Sequence, residues 1–573
     1  RQGSGFVTVT WDKALDIIAG RLNRLLSRPE SILHVRGYGY RGVLAQASLN
    51  FFNVLEASGT YGSLCDEAGI EACTRDMGSL NHNNPMDLLN ASRIINWGKD
   101  FARSSMHSSM IISQARKSGA RVMTISPEGD SNARLSDDFI LIRPGSDRFL
   151  AAAVIKMFLE TDIIRPDIID RTANWPIFRS LIQSFSLSEL LSACQVSTEE
   201  ALGLFRWYEE SGPTATIIGW GLQRYVMGGQ NVRMINALAM LSGNMGVMGG
   251  GAYFNISSGR NLGQWTALTS THAAEKRERR QLAHYDLGRE IENARPEIEF
   301  IWVDGHNAVN QIPDSLRTAR TFEKPFVVCV DGFLNDTALR SDIILPPALM
   351  LEKEEILGSC LHDYVNYSGK IIEPRGSCRS DFEILSELGQ RLNPEIIFPG
   401  QDECLEAGLK PLGISLEYIK KKGFVRADRS DIAYEKLIFD HPDNLYCFPS
   451  ELNREPEADP AYPLRLLSLI RGRYMHSQIP ESEQNGLPRI FISQSNPAVT
   501  KLDPLKQTYL ATPLGKMRVE VRIISNLHHE AVIFRRDGWM KCDHGPNILI
   551  EPRKTDMGNC AAFYSQPCRI EQE

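Results

Sequence analysis

A mixed α/β architecture with a C-terminal β cap is expected for this chain, and three observations predict it. Short runs rich in Ile and Val alternate with helical patterns, as in parallel α/β folds. Those runs end repeatedly at Gly, Asp, Asn or Ser, where open sheets place their ligands. After residue 459 the pattern changes to short alternating runs bounded by Gly, Pro and Asn, which read as an all-β cap and, most simply, a barrel.

Taken in chain order, "VTVTWDKALDIIAGRLNRLL" opens on an amphipathic helix with Thr10 as its cap. "RIINWGKD" reads as a strand ending at Gly98, Lys99 and Asp100, and "ARVMTISPEGD" as a strand ending at Ser126 and Pro127. "DDFILIRPGSD" closes at Gly145 to Asp147, and "TATIIGWGLQR" closes at Gly219, Gly221, Gln223 and Arg224. A second group repeats the device: "IEFIWVDGHNAVN" ends at Asp304, Gly305 and Asn307, and "KPFVVCVDGFLND" ends at Asp331 and Gly332. "ALRSDIILPPA" supplies a further strand closed by two prolines. Glycines at such ends let a phosphate approach, and acids take ribose or base donors. Two sets of ends imply two nucleotide sites, in two Rossmann-like α/β domains. Turn and cap chemistry alone also favours Gly and Asp at these places, so it is the recurrence that carries the reading.

Other classes are disfavoured. "GWGLQR" is GxGxxR, with no acid about 20 residues on at a following strand end, because "VRMINALAMLSGNMG" reads as one long helix. There is no GxxxxGK[ST] segment for a P-loop. A net charge of -7 argues against a nucleic-acid partner, and the one basic cluster, "EKRERR" (275–280), reads as a solvated helix face. No apolar run reaches the roughly 20 residues of a membrane span. At 573 residues the chain exceeds one core, and roughly 150 residues per domain suggests about four units. Eleven scattered cysteines without a CxxC pair suit a reducing compartment, taken as the cytoplasm. The first residue is Arg1 rather than Met, so an upstream segment is expected.

Several stretches together resemble the molybdopterin oxidoreductases of the dimethyl sulfoxide reductase family: "GSGFVTVTWDKALD", "NWGKDFARSSMH", "RPGSDRFLA", "GWGLQR…LSGNMGVMGGG", "VDGHNAVNQIPD" and "VDGFLNDTALRSDIILPPALMLEKE". "GRYMHSQ", "SNPAV" and "GPNILIEP" fall where that family's double-psi-type barrel closes over its cofactor. The resemblance implies a bis-molybdopterin guanine dinucleotide (bis-MGD) cofactor carrying Mo or W. It places Cys65, in "YGSLCDEAGIEA", as the metal ligand, although a cysteine beside apolar sequence is otherwise a buried thiol. A soft thiolate suits a metal already held by dithiolene sulfurs. By the same resemblance Gly98, Lys99, Asp100, Ser126, Pro127, Asp147, Gly219, Gly221, Gln223 and Arg224 hold one dinucleotide. Gly305, Asn307, Asp331, Thr337 and Asp342 hold the other. Arg473, His476, Asn496 and Asn547 reach the pterins from the cap.

The resemblance further implies four segments: 1–60 with 261–394 binding one dinucleotide, an inserted 61–260 binding the other and carrying the ligand, a linker with helical patches at 395–458, and the barrel at 459–573. Asp66 follows Cys65 where formate dehydrogenases of the family have His, which weakens a formate reading and makes Asp66 a candidate proton relay beside the metal. Arg260, in "FNISSGRNLGQW", is a candidate for facing substrate. A 4Fe-4S iron–sulfur cluster, common in relatives, would precede Arg1, and an iron–sulfur electron-transfer subunit is the expected partner. The implied activity is two-electron oxo transfer or hydride-type redox chemistry on a small substrate in anaerobic metabolism. Two alternatives stand beside it: a non-catalytic electron-transfer subunit of the complex I type, and a non-redox tungsten hydratase.

Overall fold

The computed structural model describes residues 5–39, 41–129, 132–269, 279–457 and 459–573. The fold is mixed α/β with several sheets, divided into two compact units: Arg1–Tyr61 with Ser257–Arg429, and Gly62–Ile256 with Ser430–Glu573.

In the first unit four parallel strands lie side by side in the order Ile32–Arg36, Phe300–Asp304, Phe326–Val330 and Ile343–Leu345. Every residue of Phe300–Asp304 is buried, as expected for a parallel strand covered on both faces. The opening helix, Trp11–Asn23, is capped by Thr10, whose side chain accepts from the Lys13 amide. Its Leu15, Ile18 and Leu22 enter a core shared with Phe51, Phe52, Trp302 and Trp265.

The second unit carries a five-stranded parallel sheet in the order Asp138–Leu141, Arg121–Ser126, Arg93–Trp97, Thr214–Ile218 and Ala252–Tyr253. The strand order therefore reverses between Arg93–Trp97 and Thr214–Ile218. The helix Gly228–Leu241 is buried at all its positions, and its polar members are satisfied inside: Arg233 pairs with Asp76 at 2.5 Å, Asn236 donates to the same carboxylate at 2.9 Å and Asn231 donates to Leu222 O at 3.0 Å. The unit also contains a seven-stranded sheet of mixed direction, ordered Gly515–Arg518, Thr508–Thr512, Gln566–Gln572, Leu464–Leu469, Ala531–Arg535, Arg489–Ser493 and Glu520–Ile524.

Of residues 395–458, Cys404, Leu405, Leu409, Leu416 and Ile419 lie in the first unit's core, and Phe439, Tyr446 and Phe448 in the second's. Residues 275–278 of the basic cluster lie outside the described residues. Its last two members correct the expectation of a solvated helix face. Arg279 Nε donates to Ala57 O at 2.8 Å and Arg280 Nε to Ser58 Oγ at 3.0 Å, and a strand, Gln281–Ala283, follows. Arg280 Nη1 also donates to Pro296 O at 2.9 Å, so both arginines tie segments of the first unit together.

Candidate active site

Cys65 is half-buried in the turn before the helix Glu67–Met77, and its surroundings hold that turn closely. Its N–H donates to Ser63 Oγ at 2.8 Å, and Ala561 N–H donates to Ser63 O at 2.9 Å. Gly62 has a φ of 73°, and a Cβ there would stand 2.1 Å from Asn559 O, so only glycine fits. Arg224 Nη2 donates to Leu64 O at 2.5 Å, with the guanidinium 4.8 Å from the Phe563 ring centroid. Gln223 Oε1 accepts from the Gly69 N–H at 2.6 Å. The loop is thus gripped on both sides of Cys65 by consecutive residues of the turn after Thr214–Ile218. Arg536 is half-buried, and the charges of Asp537, Tyr564 and Cys65 outweigh its desolvation and raise the guanidinium's pKa.

Asp66 is buried, and Asn255 Nδ2 donates to its Oδ2 at 2.9 Å. Burial, then the charges of Asp66 and Glu71, push the Glu67 carboxyl above the ordinary range.

The strand-end residues of the second unit collect at the carboxyl edge of its sheet. Gly98 and Gly219 meet where the strand order reverses, the place where open α/β sheets bind ligands. Gly219 N–H donates to Trp97 O at 2.7 Å, Gly98 has a φ of 68°, and a Cβ on Gly219 would lie 2.5 Å from Gly98 O. Lys99 lies over the Trp220 ring, 5.9 Å from its centroid. Asp100 is occupied locally: it caps the helix Phe101–Ser104 and pairs with Arg103 Nη1 at 2.9 Å. Ser126 Oγ accepts from Glu128 N–H at 3.2 Å, and Pro127 O accepts from His528 N–H at 2.9 Å. Gly221 opens the segment that leads to Gln223. Asp147, first residue of the helix Asp147–Glu160, is 2% exposed, and burial pushes its carboxyl up to about 7. Three buried polar atoms here have no hydrogen-bond partner: Asp147 Oδ1, Gln223 Nε2 and Arg224 Nη1. Such orphans cost stability unless something else satisfies them.

The first unit repeats this edge with different chemistry. Asp304 is buried, yet His34 at 2.7 Å and Ser48 at 2.8 Å hold its carboxyl below the usual range. Gly305 has a φ of 60°, and Gly37 passes so close that a Cβ on it would lie 2.0 Å from Gly305 O. Asn307 Oδ1 accepts from Thr337 Oγ1 at 2.9 Å, which leaves the buried Asn307 Nδ2 without a partner. Asp331 accepts from Phe333 N–H at 2.9 Å and Asn335 Nδ2 at 2.7 Å, and burial raises its pKa.

Other expected site residues stand apart from these edges. Asp342 precedes the strand Ile343–Leu345, at the amino end of the sheet, where its Oδ2 accepts from Val327 N–H at 2.8 Å. Arg260 makes a two-pronged pair with Asp363, at 2.8 and 2.7 Å, and Asn261 donates to the same carboxylate at 2.9 Å. A guanidinium committed to a carboxylate in this way is a structural tie first. Arg473 is exposed and pairs with Glu483 at 3.3 Å. His476, exposed with a φ of 48°, stands 4.0 Å from Asp537. Asn496 is buried with both ends engaged, donating to His529 O at 2.8 Å and accepting from Ala498 N–H at 2.8 Å. Asn547 lies in the turn Pro546–Leu549.

Two residues that meet the Cys65–Ala68 segment escaped the sequence reading. Asn255 follows the strand Ala252–Tyr253, so the strand-end rule applied to "GAYFN" would have found it. Cys560 carries no local signal; burial pushes its thiol up to about 12, with Cys65 adding to the shift and the Ala68 and Glu67 amides opposing it. None of the eleven cysteines is joined in a disulfide in the structure. Among the described residues no three His, Cys, Asp or Glu side chains gather as a metal site, and no helix is long and apolar enough to cross a membrane.

Each of the two units thus carries a parallel sheet with a glycine-lined carboxyl edge, and in the second unit the loop bearing Cys65 is tethered to that edge. The chain belongs to the molybdopterin oxidoreductase family, whose model matches residues 1–391. It is therefore an enzyme, and the family implies a molybdopterin cofactor with Mo or W. The chain is 31% identical to the probable oxidoreductase YyaE of Bacillus subtilis over 592 residues, covering 97% of this chain and 88% of that protein. It is 25% identical to the dimethyl sulfoxide reductase DmsA of Escherichia coli, covering 69% of this chain and 55% of that one. Acetylene hydratase from Pelobacter acetylenicus shares the fold, with a TM-score of 0.80 at 14% identity, over 98% of this chain and 89% of that one.

Proposed function

We propose that the protein is the catalytic subunit of a bis-MGD oxidoreductase in which Cys65 is the one protein ligand to Mo or W. The bound group would supply two-electron oxo-transfer or hydride-type chemistry to a small substrate. The observation that carries the reading is the pair of orphaned buried atoms, Asp147 Oδ1 and Asn307 Nδ2, one beyond the carboxyl edge of each parallel sheet. An acceptor at the first and a donor at the second suit the mixed hydrogen-bonding groups of two guanine nucleotides. Gly98, Gly219 and Gly305 leave backbone open for phosphates, with Lys99 beside the first pair as a counter-charge.

The chain's own residues then have distinct duties. Arg224 and Gln223 fix the Cys65 loop. Arg536 adds a guanidinium charge that interacts with Cys65, Asp537 and Tyr564. Asp66, with one oxygen held by Asn255, takes and returns the proton that accompanies turnover. The seven-stranded sheet serves as the cap, and an iron–sulfur subunit receives or supplies the electrons. Eleven scattered cysteines not joined in disulfides suit a reducing compartment, the cytoplasm.

Asp66 also favours a second reading, a non-redox hydratase, since a buried carboxyl next to the ligand could drive acid–base chemistry alone. The decisive experiment is metal and nucleotide analysis of protein from a competent host, with dye-linked turnover against sulfoxides, nitrate, arsenate and formate. Two guanine nucleotides and one Mo or W per chain are expected, with Cys65→Ala retaining the nucleotides and losing turnover. Protein with no Mo, no W and no guanine nucleotide would sink both readings; a loaded protein that exchanges no electrons with dyes would leave the hydratase.

A further inference from the structure

A second orphan, besides Asn307 Nδ2, borders the carboxyl edge of the first unit's sheet. His284 directly follows the strand Gln281–Ala283, which runs parallel to Gly59–Tyr61, and is 3% exposed. Its Nε2 stands 3.3 Å from Nε2 of His306, the residue between Gly305 and Asn307, and the two rings lie at 89° to each other. His306 is buried too, and its Nδ1 lies 2.8 Å from Gln311 Oε1. A carboxamide oxygen only accepts, so the His306 proton is on Nδ1. In the neutral ring this makes His306 Nε2 an acceptor, and the proton between the two rings therefore belongs to His284 Nε2. Burial favours the neutral pair: it pushes the His284 imidazole down to about 3, with His306 adding to the shift. His284 Nδ1 is thereby left as a bare acceptor, buried and without a hydrogen-bond partner.

We propose that His284 is a further cofactor-binding residue of the first unit, its Nδ1 accepting an N–H from the heterocycle of the dinucleotide bound at that edge. The chemistry required of the ring is a donor. Guanine and pterin both carry an amino-oxopyrimidine face, with an amide N–H beside an amino group, and either supplies it. Asn307 Nδ2, next in the chain after His306, offers the complementary donor, so this part of the unit presents one open acceptor and one open donor. The backbone from which His306 reaches His284 is closely held: a Cβ on Gly37 would lie 3.3 Å from His306 Cβ. A buried acceptor without a partner costs stability, and a bound donor removes that cost. The inference rests on the reading that a guanine dinucleotide cofactor binds here; the tautomer of His284 does not.

The test is nitrogen NMR of the full-length chain carrying isotope-labelled histidine, loaded by a competent host and, separately, freed of cofactor. The His284 signals are identified by their loss in His284→Asn, which sets an amide oxygen near the Nδ1 position. In cofactor-free chain they should report a proton on Nε2 and none on Nδ1, and on loading the Nδ1 resonance should move toward the protonated position. Guanosine monophosphate and free pterin, added separately to cofactor-free chain, distinguish the two rings, since the one that is bound moves Nδ1. In the loaded protein His284→Leu should release one dinucleotide about tenfold faster than the parent, and His284→Asn should stay within about twofold of it. A proton on Nδ1 in cofactor-free chain would overturn the proposal. So would an Nδ1 resonance unchanged by loading, the signature of an atom satisfied by a buried water. Parent protein from that host with no guanine nucleotide would remove the proposed function; two nucleotides with an unmoved Nδ1 would remove this inference alone.

Discussion

The two parallel sheets are built on one plan and put to different ends. Each has an aspartate clasp at its amino end: Asp137 and Val122 exchange two hydrogen bonds, at 2.7 and 2.8 Å, and Asp342 and Val327 exchange two at 2.8 Å. Each has a left-handed glycine at its carboxyl edge, Gly98 or Gly305, approached closely by a second glycine, Gly219 or Gly37. Each edge carries a buried polar atom without a partner. The difference lies in what else the edge supports. In the first unit the strands run in one direction across the sheet, and the edge is braced internally by Asp304, His34 and Ser48. In the second the strand order reverses, and the turn at the reversal extends to Gln223 and Arg224, which hold the Cys65 loop. One edge is a cradle; the other is a cradle and a clamp.

The largest expected effect separates the two orphaned atoms. Asp147 titrates and Asn307 does not. The folded pKa of Asp147 lies above its unfolded value, so its contribution is full below about pH 4 and is lost as pH rises through about 7. In cofactor-free chain, Asp147→Asn should stabilise by up to ~4 kcal/mol at pH 8, fading as pH falls toward 4. Urea titrations across that range check it, and a pH-independent difference would show that the carboxylate is already satisfied. Next in size, Gly37→Ala and Gly219→Ala should each cost about 3 kcal/mol, because the new methyl meets backbone that cannot rotate away. Each should lower nucleotide content by one rather than two, which nucleotide release and chromatography would count.

Arg224→Met should cost about 2 kcal/mol through loss of its bond to Leu64 O. Because the clamp is confined to one edge, the thiol of Cys65 should also be alkylated severalfold faster in that variant, by mass spectrometry of the labelled chain, with no matching change after substitutions at Asp304. Smallest of all, Asp137→Asn and Asp342→Asn should each cost about 1 kcal/mol and leave nucleotide content unchanged. A loss of one nucleotide in Asp342→Asn alone would break the symmetry of the clasps and return that residue to the cofactor.

Much of this was legible in one dimension because the signals are local. Strand-end glycines follow from a single backbone requirement at the turn, and the Thr10 cap from one side chain reaching three residues on. At Arg260 and Asp342 the motifs are local too, but the partners that the structure gives them, Asp363 and Val327, are chosen by the fold. Asn255 was within reach of the strand-end rule, whereas Cys560 offered no local pattern at all.

The sequence by itself determined the α/β class, the two series of strand ends and the family, since periodicity and turn chemistry act over a few residues. Only the tertiary structure decided which carboxylates are engaged and which buried atoms are left wanting a partner. Capping, pairing and desolvation at Asp66, Gln223 and Asp147 are settled between segments far apart in the chain, and the free energy of a buried polar group depends on every neighbour it meets.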